Sequence, residues 1–279
     1  MTPRVRSVAL RVLLLDADGS LFPSEWPAFV ASADVTNRFL DSLGVPERHT
    51  AEHLLATTTG KNFRTTALDL AIGNGVAVES ALRPGGGSPG DGAARPTLTA
   101  AALDDWVAEE KKVVTAYLGQ VLRPDPEVLG PLGRLAAHVP LATVSSSALS
   151  RLDECFHATG LAELIPADRR FSAEDSLPVP TGKPDPAVYR FALRQLGVGP
   201  AEAIAVEDSV PGARSAVAAG VPTVGNVMFV GPDEREARRA ALLDVGVVTV
   251  VDSWEHLESW EHVRSAVRDG AAWPDRDGR

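Results

Sequence analysis

Two carboxylates, a glycine and a hydroxyl follow directly on the first apolar run of the chain. The run Val12–Leu15 leads into Asp16, Asp18, Gly19 and Ser20. An apolar run of this length predicts a buried strand of a parallel sheet, whose carboxyl end faces the ligand crevice. One carboxylate there can act as nucleophile or metal ligand and the other as general acid or base, while Gly19 lets the backbone turn. A plain turn after a strand is the alternative, because Asp-Gly pairs are common in turns.

Three further polar clusters follow apolar or turn-forming segments later in the chain. They are a serine triplet, a lysine between turn residues and an acidic pair: Ser145 to Ser147, Lys183, and Glu207 with Asp208. Taken singly, they fit a loop, a turn and a helix cap, since acidic residues are favoured near helix amino ends. Four such clusters in this order indicate one shared site.

Together, the clusters resemble the motifs of the haloacid dehalogenase-like hydrolase superfamily, most closely its phosphatase and β-phosphoglucomutase-like branch. That family's Asp-x-Asp-Gly-Thr/Ser motif is matched by residues 16–20, and its strand-closing Ser or Thr by Ser145. Its lysine is matched by Lys183 in a Gly-Lys-Pro setting, and its acidic pair by residues 207 and 208. The resemblance covers roughly residues 8–252, with gaps. One departure is Pro126-Glu127, where the family often has Pro-Gly, and it touches no catalytic position.

The resemblance implies phosphoryl transfer, in which an in-line nucleophile and fixed positive charge matter most. By this resemblance Asp16 attacks phosphorus and forms an aspartyl-phosphate, and Asp18 protonates the leaving oxygen and then activates water. Lys183 supplies a compact positive charge, and Ser145 a hydroxyl, to the phosphate oxygens. Gly19, Ser20 and Ser146 complete the expected phosphate-binding set.

A magnesium ion is implied at the same place. Asp16, Glu207 and Asp208 near a phosphate would repel one another without a cation, and Mg²⁺ prefers hard oxygen ligands beside phosphate. By the resemblance the ligands are the carboxylate of Asp16, the main-chain carbonyl of Asp18 and the acidic pair. Whether Glu207 binds directly or through water is left open.

Composition limits the classes of partner. The 279 residues carry 37 acidic and 27 basic side chains, for a formal charge of −10. This charge argues against nonspecific nucleic-acid binding and against a basic membrane-binding face. No apolar run approaches the roughly 20 residues of a membrane span, and the short run after Arg4, Arg6 and Arg11 is not expected to be a secretion signal. The single Cys155 is expected to be a packed residue, and the chain is expected to be cytoplasmic, with its oligomeric state open.

The fold class predicted is α/β, a doubly wound (Rossmann-like) parallel sheet with an inserted α-helical cap domain. Alternating strands and helices favour the sheet, with core residues 1–21 and 124–279. Residues 22–123 are expected to form the cap, with helices near 29–43, 51–56, 63–72 and 103–121. Five glycines and three prolines at 83–96 predict a flexible surface loop. The near-repeats at Trp254 and Trp260 predict a carboxy-terminal helix that packs its tryptophans.

Substrate choice is expected to lie in the cap at residues 57–64. In the capped branch a loop between cap helices reaches towards the active site, and Lys61 and Arg64 would then contact the leaving group. The alternative is that both are ordinary solvated cations beside a helix start.

The resulting hypothesis is a Mg²⁺-dependent phosphatase of a small phosphate monoester, such as a sugar phosphate or related metabolite. A phosphosugar mutase of the β-phosphoglucomutase type would use the same residues. By the resemblance, phosphonatase and dehalogenase activities are disfavoured, because those branches lack the second aspartate of the first motif and this chain has Asp18 there. An inactive phosphometabolite-binding module is the alternative from another class.

Overall fold

The computed structural model describes residues 9–58, 62–82, 97–260 and 263. The chain divides into two compact units, one of Met1–Pro23 with Leu122–Arg279 and the other of Ser24–Val121. Within the described residues there are six strands: β1 Val12–Leu15, β2 Leu141–Ser145, β3 Arg170–Ser172, β4 Ala203–Glu207, β5 Thr223–Asn226 and β6 Thr249–Val251. The α-helices are α1 Glu25–Ser42, α2 Ala51–Thr58, α3 Phe63–Gly73, α4 Ala100–Val121, α5 Pro126–Ala136, α6 Leu149–Thr159, α7 Ala187–Leu196, α8 Val210–Ala218, α9 Pro232–Val245 and α10 Trp254–Ser259.

All six strands form one parallel sheet in the order β3-β2-β1-β4-β5-β6. Strand β1 is central, with Leu15 in register with Thr143 of β2 and Val206 of β4. Every residue of β1, β2 and β4 is buried, as expected for a sheet covered on both faces. Strands β2 and β3 lie on one side of β1, and β4, β5 and β6 lie on the other. Because β2, β1 and β4 are parallel neighbours, the loops that follow them share one edge of the sheet. The predicted α/β sheet is confirmed.

Strand β3 was not predicted from the sequence. It is three residues long and begins with Arg170, which is 5% exposed. The Arg170 guanidinium donates to the Ile165 carbonyl and to Asp153, and it lies over the ring of Phe156 at 4.4 Å. Charge partners and an aromatic ring thus permit a buried arginine in a strand, which an apolar pattern cannot reveal.

The sheet unit packs helices with large buried side chains against the strands. On α7, Val188, Tyr189 and Leu193 join one core cluster with strand residues that include Leu14 and Val144. The indole of Trp254, at the start of α10, is fully buried and donates to the Ser20 carbonyl at 3.2 Å. The expected packing of Trp254 is confirmed, and the described helix ends at Ser259, one residue before Trp260.

The other unit is helical and has its own core. It contains α1 to α4, and its buried cluster includes Phe39, Leu40, Leu98 and Leu103. The four expected helices are present, and Asn62 caps α3 by accepting from the Thr65 amide at 2.9 Å. The expected loop at 83–96 lies outside the described residues. No described helix is both long and apolar enough to cross a membrane.

Candidate active site

The predicted site residues lie where the three central strands end. Asp16 follows β1, Ser145 is the last residue of β2, and Glu207 is the last residue of β4. Asp208 is next in the chain, and its Oδ2 lies 2.5 Å from the point where a Cβ on Gly19 would stand. Gly19 also has φ of +77°, so both its conformation and its space exclude a side chain. The glycine of the first motif therefore lets the acidic pair approach the first loop.

Lys183 joins these loops through its ammonium group. Nζ donates to Asp16 Oδ1 at 2.5 Å, to Glu207 Oε1 at 2.6 Å and to the Val144 carbonyl at 2.9 Å. These three acceptors account for all three N–H bonds of the ammonium. The Lys183 side chain is 5% exposed, so the contacts are made away from bulk solvent. Lys183 thus holds the ends of β1, β2 and β4 in one polar cluster.

The cluster carries more negative than positive charge. Burial raises the pKa of Asp16 above its usual range, and the nearby lysine only partly opposes this effect. Burial, partly offset by Lys183, also raises the pKa of Glu207 to about 8. For Asp208, burial and the charges of Asp16 and Glu207 raise the pKa well above its ordinary value. Three carboxylates share one ammonium, which leaves two formal negative charges when all are ionised.

These residues fit a divalent cation. Carboxylate oxygens of Asp16, Glu207 and Asp208 lie within 4.8 Å of one another. Glu207 Oε2 is buried and accepts no hydrogen bond from the described residues. A buried carboxylate oxygen without a donor is costly unless a cation satisfies it. An oxygen-only donor set with two excess negative charges is suited to Mg²⁺.

Asp18 has a different environment from Asp16. Its side chain is 27% exposed, and Oδ2 accepts from the Ser147 hydroxyl at 2.6 Å. Arg151 of α6 places Nη2 3.6 Å from Asp18 Oδ1. The carboxylate of Asp18 is not one of the three that converge on the cation site. The metal role predicted for Asp18 concerned its main-chain carbonyl, and it stays a prediction.

The three serines after β2 have different positions. Ser145 is buried, and its Oγ accepts from the Ser147 amide at 3.0 Å. Ser146, expected to bind phosphate, is exposed, whereas Ser147 was not singled out and contacts Asp18. Ser20 is fully buried, and its Oγ has no hydrogen-bond partner among the described residues.

Of the two cations expected to contact substrate, one belongs to the residues that the structure describes. Lys61 lies outside the described residues. Arg64, on the first turn of α3, forms an ion pair with Asp104 of α4. This pairing engages part of the Arg64 guanidinium within its own unit, and its role towards a substrate stays a prediction.

In the part of the chain that the structure describes, three further side chains touch the site and were not predicted from the sequence. The Tyr189 hydroxyl donates to Glu207 Oε1, and Arg238 of α9 donates to the Asp208 carbonyl at 2.9 Å. Arg151 is the third. Tyr189 belongs to a helical apolar pattern that core packing already explains, so its hydroxyl gave no separate signal. The arginines lie in helices whose exposed faces carry many charges.

The sheet and its edge define a Rossmann-like α/β protein with a buried acidic cluster beside a lysine. A family model described as haloacid dehalogenase-like hydrolase matches residues 10–220. The chain belongs to this family of hydrolases.

Comparison with individual proteins gives shorter matches to curated relatives. The chain is 44% identical to Protein CbbY of Cereibacter sphaeroides over 62 residues, 22% of this chain and 27% of the relative. It is 37% identical to a CBBY-like protein of Arabidopsis thaliana over 83 residues, 30% of this chain and 24% of the relative. The matches therefore span about a quarter of the length of these curated relatives.

Solved structures match over most of their length. A variant of CbbY from Rhodobacter sphaeroides in complex with xylulose-(1,5)-bisphosphate aligns with a TM-score of 0.60 and 22% identity, over 89% of this chain and 96% of that one. A haloacid dehalogenase-type hydrolase from Entamoeba histolytica aligns with a TM-score of 0.66 and 16% identity, over 93% and 100% of the two chains. At these identities, the likeness shows the fold.

Proposed function

We propose that this chain is a Mg²⁺-dependent phosphatase of a small phosphate monoester that acts through an aspartyl-phosphate on Asp16. The observation that supports this most is the buried Asp16 carboxylate, bonded to Lys183 and lying within 4.8 Å of carboxylate oxygens of Glu207 and Asp208. A nucleophilic carboxylate needs a fixed orientation and neighbouring positive charge to approach a phosphate dianion. Lys183 supplies both to Asp16.

Asp16, Glu207 and Asp208 would hold the cation through their carboxylates. When bound, Mg²⁺ supplies positive charge that offsets the repulsion between phosphate and carboxylates. Lys183 remains the protein's own cation at the site, and Arg238 keeps the Asp208 main chain in place through the carbonyl.

In the first half of the reaction, an Asp16 carboxylate oxygen forms a bond to phosphorus while the bond from phosphorus to the leaving oxygen breaks. Asp18, in its protonated form, gives its proton to that oxygen. The Asp18 carboxylate is held by the Ser147 hydroxyl beside Arg151 and lies outside the three carboxylates that converge, so it is separate from the nucleophile and from the proposed metal ligands.

In the second half, water forms the new bond to phosphorus and the bond to Asp16 breaks. Asp18, now ionised, takes the proton from water and returns to its starting state. Phosphate leaves, so atoms and protons balance over one turnover.

The substrate class in this proposal is a small phosphorylated metabolite, such as a sugar phosphate. The resemblance of the motifs to the phosphatase and β-phosphoglucomutase-like branch supports this class. So does the xylulose bisphosphate bound to the structurally similar CbbY.

The test is turnover of a generic aryl phosphate by metal-stripped protein. We expect no phosphate release in EDTA, full recovery with Mg²⁺, and at least a tenfold higher Mg²⁺ requirement in Asp208→Ala, since one of three anionic ligands is lost. Asp244→Ala, an exposed acidic residue of α9, is the matched control and should behave as wild type. Full turnover after exhaustive chelation would contradict the proposal.

A panel of phosphorylated metabolites with Mg²⁺ would then identify the substrate. Product analysis with β-glucose 1-phosphate separates hydrolysis, which releases inorganic phosphate, from mutase chemistry, which yields glucose 6-phosphate.

A further inference from the structure

Tyr189 lies beneath the acidic site and has no role in the reaction described above. It stands on α7, six residues after Lys183, and its side chain is fully buried in the core that covers one face of the sheet. Its hydroxyl donates to Glu207 Oε1, the same oxygen that accepts from Lys183 Nζ at 2.6 Å. The Lys183 ammonium also lies 5.5 Å from the centre of the Tyr189 ring.

These contacts fix the orientation of the Glu207 carboxylate from two sides. Two donors occupy Oε1, and Oε2 faces Gly212, where a Cβ would lie only 1.9 Å away. A glutamate side chain has several rotamers, so such constraints are needed to present one geometry to a cation.

Because the second donor to Glu207 Oε1 is a hydroxyl, it affects the net charge of the acidic cluster differently from a cationic side chain. A tyrosine hydroxyl adds a hydrogen bond to Glu207 without adding positive charge, whereas a second lysine or arginine would neutralise part of the cation site. A tyrosine phenol, with an ordinary pKa of about 10, is a neutral donor near pH 7. The excess negative charge of the three carboxylates is thereby kept for the divalent ion.

We infer that Tyr189 is a positioning residue for the cation site, holding Glu207 on Lys183 through its hydroxyl so that the acidic cluster binds Mg²⁺. This inference deepens the proposed function and rests on it for the identity of the metal. The residue touches neither substrate nor cation, and its effect is transmitted through Glu207.

The experiment is calorimetric Mg²⁺ binding to metal-stripped full-length protein, compared between wild type and Tyr189→Phe. The substitution keeps the buried ring and removes only the hydroxyl. We expect Kd for Mg²⁺ to rise about tenfold, a size consistent with a hydrogen bond to a charged group. The thermal midpoint in EDTA should stay within a few degrees of wild type.

Tyr117→Phe is the matched control, because the chain has only two tyrosines and Tyr117 lies on α4 of the helical unit. It should leave Kd within about twofold of wild type. A double-mutant comparison tests whether Tyr189 acts through Glu207. If it does, Tyr189→Phe should change the Kd for Mg²⁺ by less than about twofold in a Glu207→Gln background.

An unchanged Kd in Tyr189→Phe, or an equal tenfold change in the Glu207→Gln background, would overturn the inference. Should Tyr189→Phe fail to fold, 3-fluorotyrosine incorporated into Tyr117→Phe gives a single ¹⁹F resonance from residue 189. That resonance should shift on Mg²⁺ titration with the calorimetric Kd, and a resonance that does not shift refutes the idea.

Failure of the two proposals can be told apart. Weakened Mg²⁺ binding in Tyr189→Phe without phosphatase activity in wild type would leave the positioning role standing and remove the proposed reaction. Mg²⁺-dependent turnover by wild type together with unchanged Mg²⁺ binding in Tyr189→Phe would support the proposed reaction and remove the positioning role of Tyr189.

Discussion

At the residue scale, the two aspartates of the first loop differ in their surroundings. Asp16 is buried against Lys183, whereas Asp18 is partly exposed and bonds to the Ser147 hydroxyl. Two carboxylates in different environments can take different roles, one as nucleophile and the other as acid and base. The separation depends on the side chains around each carboxylate.

Ser147 should therefore matter more than its exposed neighbour. Ser147→Ala removes a 2.6 Å hydrogen bond to Asp18, which leaves that carboxylate less well oriented towards the leaving group. We expect kcat/KM for an alkyl phosphate to fall about tenfold, or about 1.4 kcal/mol of transition-state stabilisation. The loss on an aryl phosphate should be smaller, since a good leaving group needs less protonation.

Ser146→Ala provides the comparison, because it removes a hydroxyl from the same loop at an exposed position. Activity within about twofold of wild type is expected. A larger loss in Ser146→Ala than in Ser147→Ala would place the functional hydroxyl at residue 146, as the sequence suggested.

At the element scale, helix α8 packs unusually close to the end of β4. A Cβ on Gly212 would lie 1.9 Å from Glu207 Oε2, and the Ser209 hydroxyl caps the helix by accepting from the Gly212 amide at 3.1 Å. The capped first turn and the glycine together bring the helix backbone against the buried carboxylate.

Gly212→Ala should be harmful although alanine favours helices. Glu207 or α8 must move to make room, at a cost of about 1–3 kcal/mol in the free energy of unfolding. Urea denaturation should show that loss, and Mg²⁺ titration of activity should show weaker binding.

Gly133→Ala in α5 is the control, since nothing lies within 4 Å of its Cβ position. There the free energy of unfolding should rise by up to about 1 kcal/mol. Equal stabilisation by both substitutions would contradict the expected clash between a Cβ at residue 212 and the Glu207 carboxylate.

The strands could be predicted from the sequence where every residue is buried and most are therefore apolar or small. Strands β1, β2 and β4 are uniformly buried and were recognised from their apolar runs, whereas β3 was missed because Arg170 is buried through its own charge partners. The main site residues were found by motif, since each follows a strand or a turn. Ser147 and Tyr189 were not found by motif. The folded backbone decides which hydroxyl of a serine triplet faces the site, and it also decides which acceptor a core tyrosine donates to.

At the scale of the whole molecule, the acidic cluster links stability to pH and metal. The pKa of Glu207 rises from an ordinary 4.5 to about 8 on folding, so the folded metal-free protein binds more protons than the unfolded chain between these values. Stability from this group is complete below about pH 4.5 and is lost as pH rises through about 8. The slope is at most about 1.4 kcal/mol per pH unit for a single group.

Mg²⁺ favours the ionised carboxylates and should remove this loss. We expect the gain in thermal midpoint on adding Mg²⁺ to increase steadily from pH 5.5 to pH 8 in differential scanning calorimetry. In Glu207→Gln, the gain should depend less on pH. A gain that is independent of pH in wild type would argue against a buried, proton-sharing cation site.

The most direct test of the account is to locate the phosphoryl group on the protein. In Asp18→Asn, an aryl phosphate with Mg²⁺ should phosphorylate the protein and then stall, because water is no longer activated. After an acid quench, peptide mapping by mass spectrometry should place a hydroxylamine-sensitive phosphoryl group on Asp16, and Asp16→Asn should carry none. A phosphoryl group on Ser145 or Ser147, or Mg²⁺-dependent turnover by Asp16→Asn, would contradict the assignment of Asp16 as the nucleophile.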